Sequence, residues 1–401
     1  MSKSNKAIAA VLAAGALCIV VVLIWVRGPD HRPQDGKAPP QRTETAAADQ
    51  AESWWPMFRG GQGLLGRAPG ALPDSLSLAW KFKTGRAVKS SPAVYEGLVY
   101  VGSTDANVYA VELETGRQVW AYNTGDDVEA SPCVVEGTVV LGSLDGTIHA
   151  IDAAAGTLRW KYETGSQISG AANWTRSPDG RGVWVLVGSY DYSVYCLDVA
   201  DGKVVWTYET GNYVNGSPAV EAGKAVFGGC DAMIHVVRVA DGKVLEQIDT
   251  GAYIAASAAF CDGHVYVGNY DSQFIDAEIA SGRVAWKYQC GDAVFSSPAV
   301  GQDVVVFGAR DKLVHCLDRR TGKRLWTFQA LGEVDSSPVI CGDKVVVGSE
   351  DGRLYMIRLA DGSKVWSYEI GRPVTSSPAV AMGMVVVGSD DGFVYAFSAT
   401  E

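Results

Sequence analysis

Carboxylates and imidazoles recur along this chain at fixed intervals, in types that can transfer protons or hold metal ions. Aspartates stand at Asp105, Asp145, Asp191, Asp231, Asp271, Asp311, Asp351 and Asp391, and histidines at His149, His235 and His315. Chemistry needs one unequal arrangement of groups, so a residue repeated in every copy of one phrase cannot be catalytic in each. The aspartates are predicted to accept turn N–H groups. The histidines take the place held by Tyr109, Tyr195 and Tyr355 in sister copies, which makes them packing residues and not a metal cluster. One acid pair breaks the pattern: Glu246 replaces a tryptophan and Asp276 a small residue. If both were buried at one seam, one would hold a proton, because two ionised carboxylates repel where water is scarce. The eight cysteines include no adjacent pair and no C-x-x-C, so neither a zinc site nor a disulfide framework is expected. From the residues alone, no catalytic, metal-binding or cofactor-binding site is predicted.

A repeat sets the elements that carry these groups. Trp80, Trp120, Trp160, Trp206, Trp286, Trp326 and Trp366 return every 40 residues, with one interval of 46 and Glu246 on the missing beat. Each copy holds four short apolar runs separated by Gly-containing turns, without helical period. A four-stranded antiparallel meander of this length is a propeller blade. The first blade's strands are predicted at 88–94, 98–102, 107–112 and 118–122. Val88, Val128, Ile168, Val214, Ile254, Val294, Val334 and Val374 open successive copies, giving an all-β, eight-bladed propeller. The last copy stops after its third strand at 393–398, while residues 78–82 read as a fourth strand without a blade. Pairing of the two is predicted to close the ring and remove an open edge. Prolines at Pro92, Pro132, Pro218, Pro298, Pro338 and Pro378 fit an innermost strand lining the channel, where no ladder bond is needed.

Binding is expected where the repeat varies. Tyr190, Tyr192, Tyr213, Tyr253, Tyr270 and Phe295, with Asn212, Asn215 and Asn269, fall in turns of one rim over blades three to six. Their positions hold unrelated residues in other blades, so packing does not dictate aromatics there, and tyrosine is enriched in binding surfaces. Arg86, Lys89, Asp126, Asp127, Glu129, Arg310, Asp335, Glu350, Arg372 and Asp390 make the rest of that rim charged. A second candidate is the longer loop at 176–182 on the opposite side, with Trp174, Arg176 and Arg181. Asn173-Trp174-Thr175 also fits the glycosylation acceptor pattern.

Ahead of the propeller, a short tail (1–6) precedes an uncharged apolar stretch (7–26) long enough to span a bilayer as one transmembrane helix. A Pro-, Ala- and Gln-rich tether (27–52) and a lead-in (53–75) follow, then the propeller at 76–401. A cut at residue 60 is expected to leave the domain folded. The chain carries a net charge of −11. That sign disfavours nucleic acid as a partner.

The phrases G-x-V-x-W-x-Y-x-T-G, S-S-P-A-V and V-G-S-x-D-G-x-V-Y-A resemble pyrroloquinoline-quinone-type propeller repeats, from Leu76 to Thr400, and Trp55-Pro56-Met57-Phe58-Arg59-Gly60 resembles the lead-in of many bacterial proteins of this type. The resemblance has two branches: quinoprotein dehydrogenases and non-enzymatic propellers similar to the assembly factor BamB. The dehydrogenase branch implies a vicinal Cys-Cys disulfide, a calcium site, a catalytic Asp and long roofing loops, and this chain lacks the adjacent cysteines and the roof. The expectation is therefore a membrane-tethered scaffold, not an enzyme and without cofactor. It would bind protein partners at the cell envelope, among them outer-membrane assembly components, with the propeller on the periplasmic side of the cytoplasmic membrane. The alternatives are a quinoprotein dehydrogenase and an extracytoplasmic sensor or carbohydrate-binding module.

Overall fold

In the computed structural model, residues 54–400 are described, and they form eight four-stranded blades around a central channel. The apolar stretch at 7–26 and the tether lie outside the described residues. Among the described residues no helix is long and apolar enough to cross a membrane.

Blade two shows why the repeat folds this way. Its middle strands, Thr138–Gly142 and Thr147–Asp152, are buried almost throughout, because a neighbouring blade covers each face. Continuous apolar runs are what such strands require. The outer strand Leu158–Glu163 buries chiefly Trp160. That indole donates from Nε1 to the Val199 carbonyl of blade three at 2.7 Å and lies against Gly202. Gly202 has φ +71°, and a Cβ there would stand 2.7 Å from the ring, so glycine is required twice over. Trp80, Trp120, Trp206, Trp286 and Trp326 repeat the bond to the next blade.

The ring closes as the sequence predicts. Strand Leu76–Lys83 pairs antiparallel with Phe393–Ala399, with Trp80 opposite Ala396. The innermost strand is shorter than predicted: Ala93–Tyr95 in place of 88–94. The Ser-Ser-Pro stretch leaves the ladder because its bonds run sideways, from blade to blade. Ser91 N–H donates to Ser131 Oγ at 3.0 Å, and Ser217, Ser257, Ser297, Ser337 and Ser377 continue this belt back to Ser91. It is interrupted where Ala171 offers no hydroxyl to Ser131.

The lead-in is part of the domain. Its carbonyls accept inner-strand N–H groups around the channel: Pro56 from Val134, Gln62 from Val220, Gly63 from Phe260, Leu65 from Val300 and Gly66 from Ile340. Arg67–Ala68 then adds as a parallel strand beside Val339–Cys341. Inner-strand donors that would otherwise face the channel are thereby satisfied. Arg59 is fully buried, its guanidinium donating to the carbonyls of Ser337, Pro298 and Pro338, and burial lowers its pKa to about 9. Trp55 and Met57 are equally enclosed. A cut at residue 60, which the sequence suggests is harmless, would therefore remove the buried side chains of Trp55, Met57 and Arg59.

Candidate functional site

The turn aspartates are structural. In seven copies the carboxylate accepts the N–H two residues on, as Asp191 does from Ser193 at 3.1 Å. In blades one, three, four, six and seven the second oxygen also reaches the turn entering the same blade and the third-strand Tyr or His: Asp191 takes Gly165 N–H at 2.7 Å and Tyr195 Oη at 2.7 Å. In blade five Asn269 Oδ1 replaces Asp271 in accepting Gln273 N–H. His235 and His315 are buried against Asp231 and Asp311. His149 is buried with its pKa lowered to about 4 by desolvation. All three pack within blades, as expected.

These clips fix the turns and free the residues beside them. Tyr190 and Tyr192 flank Asp191, and both reach Tyr213 from the next blade, with ring centroids at 5.1 Å and 5.3 Å. Tyr253 meets Tyr270 at 6.4 Å, and Tyr270 meets Phe295 at 4.7 Å. The Arg310 guanidinium lies 4.0 Å from the Phe295 ring centre and ends the row. The six predicted residues thus form two ring clusters. Tyr192, Tyr213, Tyr253 and Tyr270 remain exposed, at 43%, 42%, 54% and 44%. Asn212 is drawn inward, its amide donating to the Cys230 carbonyl at 3.0 Å.

Beside the aromatics the channel opens into a cavity of about 180 Å³ lined by Lys89, Glu129, Ser169, Asn215, Ala255 and Phe295, with Phe58 of the lead-in also in its wall. The charged part of the rim is largely self-neutralised: Lys89 pairs with Glu129 at 2.8 Å, Arg86 with Asp127 at 3.3 Å, and Arg310 with Asp335 at 2.7 Å and Glu333 at 3.3 Å. Burial, reinforced by neighbouring acids, raises the pKa of Glu350 and Asp390. Glu333, Asp335 and Glu350 bring carboxylate oxygens within 4.8 Å of one another, but Arg310 already occupies two of the three. On this rim Arg86, Lys89 and Arg310 are each paired with a carboxylate, with further acids around them. The seven described cysteines are free and buried, with thiol pKa values raised by desolvation.

The second candidate loop sits apart. Arg176 pairs with Glu136 at 2.8 Å, Arg181 lies 3.9 Å from Asp179, and the Trp174 carbonyl accepts from Gln62 Nε2 at 2.8 Å. Asn173 is fully buried, donating to the carbonyls of Gln62 and Pro218, so the acceptor-like motif is an anchor for the lead-in and offers no exposed amide. The suspected Glu246–Asp276 pair does not form. Asp276 bonds His264, while Glu246 accepts Gln247 N–H in its own strand. The His264 partnership was missed because it joins residues whose repeat positions hold Leu98 and Ala110 in blade one.

The family model described as outer membrane protein assembly factor BamB matches residues 73–178, 107–253 and 231–401. The chain belongs to this BamB family. No protein of curated function matches it. Among solved structures, BamB from Moraxella catarrhalis superposes with a TM-score of 0.69 at 21% identity, covering 81% of this chain and 100% of that one. The computationally designed Ika8 protein gives 0.71 at 19% identity, over 80% and 99% of the two chains. Quinohemoprotein alcohol dehydrogenase from Comamonas testosteroni gives 0.75 at 15% identity, over 90% and 83%. An assembly factor, a designed protein and an enzyme share the ring, so the BamB-family architecture by itself does not carry the function.

Proposed function

We propose that this BamB-family propeller is a non-enzymatic scaffold that holds a protein partner on the tyrosine rim of blades three to six. Its role would lie in envelope or outer-membrane protein assembly. The observation that carries this reading is the grouping of Tyr190, Tyr192, Tyr213, Tyr253, Tyr270 and Phe295 at positions the repeat leaves free, with four of the six exposed. A few amphipathic rings on short, rigid turns can dominate an interface, at about 2 kcal/mol or more each. The apolar segment at 7–26 would anchor the chain in the cytoplasmic membrane with the propeller outside the cytoplasm. The committed rim cations and the absence of adjacent cysteines favour this reading over a quinone enzyme.

The experiment is a crosslinking pull-down from intact cells with the native chain and with Tyr190, Tyr213, Tyr253 and Tyr270 all changed to Ala. Outer-membrane assembly components should be captured by the native chain and lost from the variant at unchanged melting temperature. Undiminished capture by the folded variant moves the interface elsewhere. Saturable binding of pyrroloquinoline quinone with calcium, read as a thermal shift, would establish the dehydrogenase reading instead.

A further inference from the structure

The most irregular seam lies between blades five and six. The third-strand residue that meets the outer-strand tryptophan position is Ala110, Ala150, Cys196, Val236, Cys316, Met356 or Ala396 in seven blades, each fully buried. In blade five it is Asp276, only 2% exposed. A buried carboxylate is unfavourable unless fully bonded, and the seven sister blades show that the fold does not require one. Asp276 accepts from His264 Nδ1 at 2.8 Å. His264 stands two residues before Tyr266, which pairs directly with Asp276 across the strands, so the pleat sets all three on one face. With Nδ1 engaged, Nε2 is the imidazole's remaining polar atom.

These groups border a cavity of about 380 Å³ closed on the other side by Gln302, Asp303, Arg319 and Arg320 of blade six. Arg319 is already committed, to Asp262 at 2.7 Å and Tyr266 Oη at 3.0 Å. Arg320 and Asp303, 3.5 Å apart, are exposed and loosely paired. The wall therefore alternates acceptors (Asp276, Asp303) with donors (Arg320, Gln302) and an imidazole, and carries both signs of charge. An anion would meet Asp276 and Asp303, and a cation would meet the two arginines. Hydroxyl groups both donate and accept, and so complement such a wall without bringing charge. We infer that the blade-five cavity binds a neutral polyhydroxylated ligand, a sugar residue, with Asp276 and Asp303 accepting from its hydroxyls and His264, Gln302 and Arg320 bonding to its oxygens. A few convergent polar groups in a preformed cleft are the usual composition of such sites.

The repeat supplies the controls. Asp276→Ala installs the residue of blades one, two and eight, and His264→Leu that of blade one, so both variants should fold. The full chain is titrated with glucose, galactose, mannose and N-acetylglucosamine, and with glucosamine and glucuronate as charged analogues, by calorimetry and ligand-observed NMR. At least one neutral sugar should bind, more tightly than either charged analogue. Asp276→Ala should weaken it about tenfold or more, since one good hydrogen-bonded contact is worth that factor, while melting at or above the native temperature. Absence of binding by all four sugars, tighter binding of a charged analogue, or undiminished binding by Asp276→Ala would overturn the inference. So would unfolding of that variant, because the carboxylate would then be structural; His264→Leu tests the same site independently.

Discussion

The seams on either side of blades three and four are built from the same positions, and one of them lacks the tryptophan. Between blades two and three, Trp160 is buried against Gly202 and donates to the Val199 carbonyl. Between blades four and five, Glu246 takes the tryptophan's place above Gly282, and its carboxylate accepts the Gln247 N–H of its own strand. Gly282 nevertheless keeps φ +63°, close to the +71° of Gly202. The left-handed glycine therefore does not depend on the indole, although its N–H bonds the Ile279 carbonyl at 3.2 Å where Gly202 N–H bonds the Asp198 carbonyl at 2.8 Å. The tryptophan adds cohesion between blades, and the glycine keeps its left-handed conformation without it.

The largest loss is expected at ring closure, in the one blade assembled from both ends of the domain. Removing residues 1–84 deletes the Leu76–Lys83 strand and leaves Phe393–Ala399 with an open edge. That protein should aggregate, whereas removal of 1–53 should leave a monomeric ring, as size-exclusion chromatography would show. A smaller effect separates the two seams directly. Trp160→Ala should lower stability by about 3–5 kcal/mol, and Glu246→Ala should stay within about 1 kcal/mol. Equal losses in denaturant melts would show that the seams hold by something other than the indole.

Asp276 makes the stability of blade five depend on pH. Burial raises the pKa of Asp276, although the His264 bond opposes the shift. A carboxyl raised in the folded state favours folding below its unfolded pKa, about 3.9, and loses that contribution as pH rises through its folded value. Asp276→Ala should therefore gain stability relative to the native protein at neutral pH, and the gain should shrink as pH falls toward 4. A constant difference across melts at several pH values would contradict this. The smallest effect belongs to the serine belt: Ala171→Ser supplies the missing acceptor for Ser131 N–H and should add about 0.5–1.5 kcal/mol. No change in melting temperature would mean that water already serves that donor.

Most of the ring was legible in the sequence because each seam uses local, repeated signals. Period, turn glycines and Trp spacing locate strands such as Leu98–Gly102 to the residue. The tyrosine rim was legible for the opposite reason, since aromatics stood where the repeat leaves choice. What was hidden depends on contacts between distant segments. Nothing local says that Arg59 will lie among carbonyls of Pro298 and Pro338. The length of the innermost strand was misjudged because Ser-Ser-Pro reads as extended chain, while its hydroxyls bond across blades. The partner of Asp276 was obscured by pairing two deviations along the sequence, Glu246 and Asp276, when the closer pair lies across the hairpin at His264.

The pairing of Leu76–Lys83 with Phe393–Ala399 also imposes a timetable. During synthesis the first of these strands emerges early and must wait while roughly 310 more residues are made. At about 5–20 residues per second that is roughly 15–60 s. For that interval the strand has no mate and the lead-in has few of the inner strands to which it will bond. The protein therefore cannot finish folding from its leading end. Nascent chains must be kept from pairing with one another until the final strand arrives, so yield should depend on holdase chaperones and on translation speed far more than the stability of the finished ring would indicate.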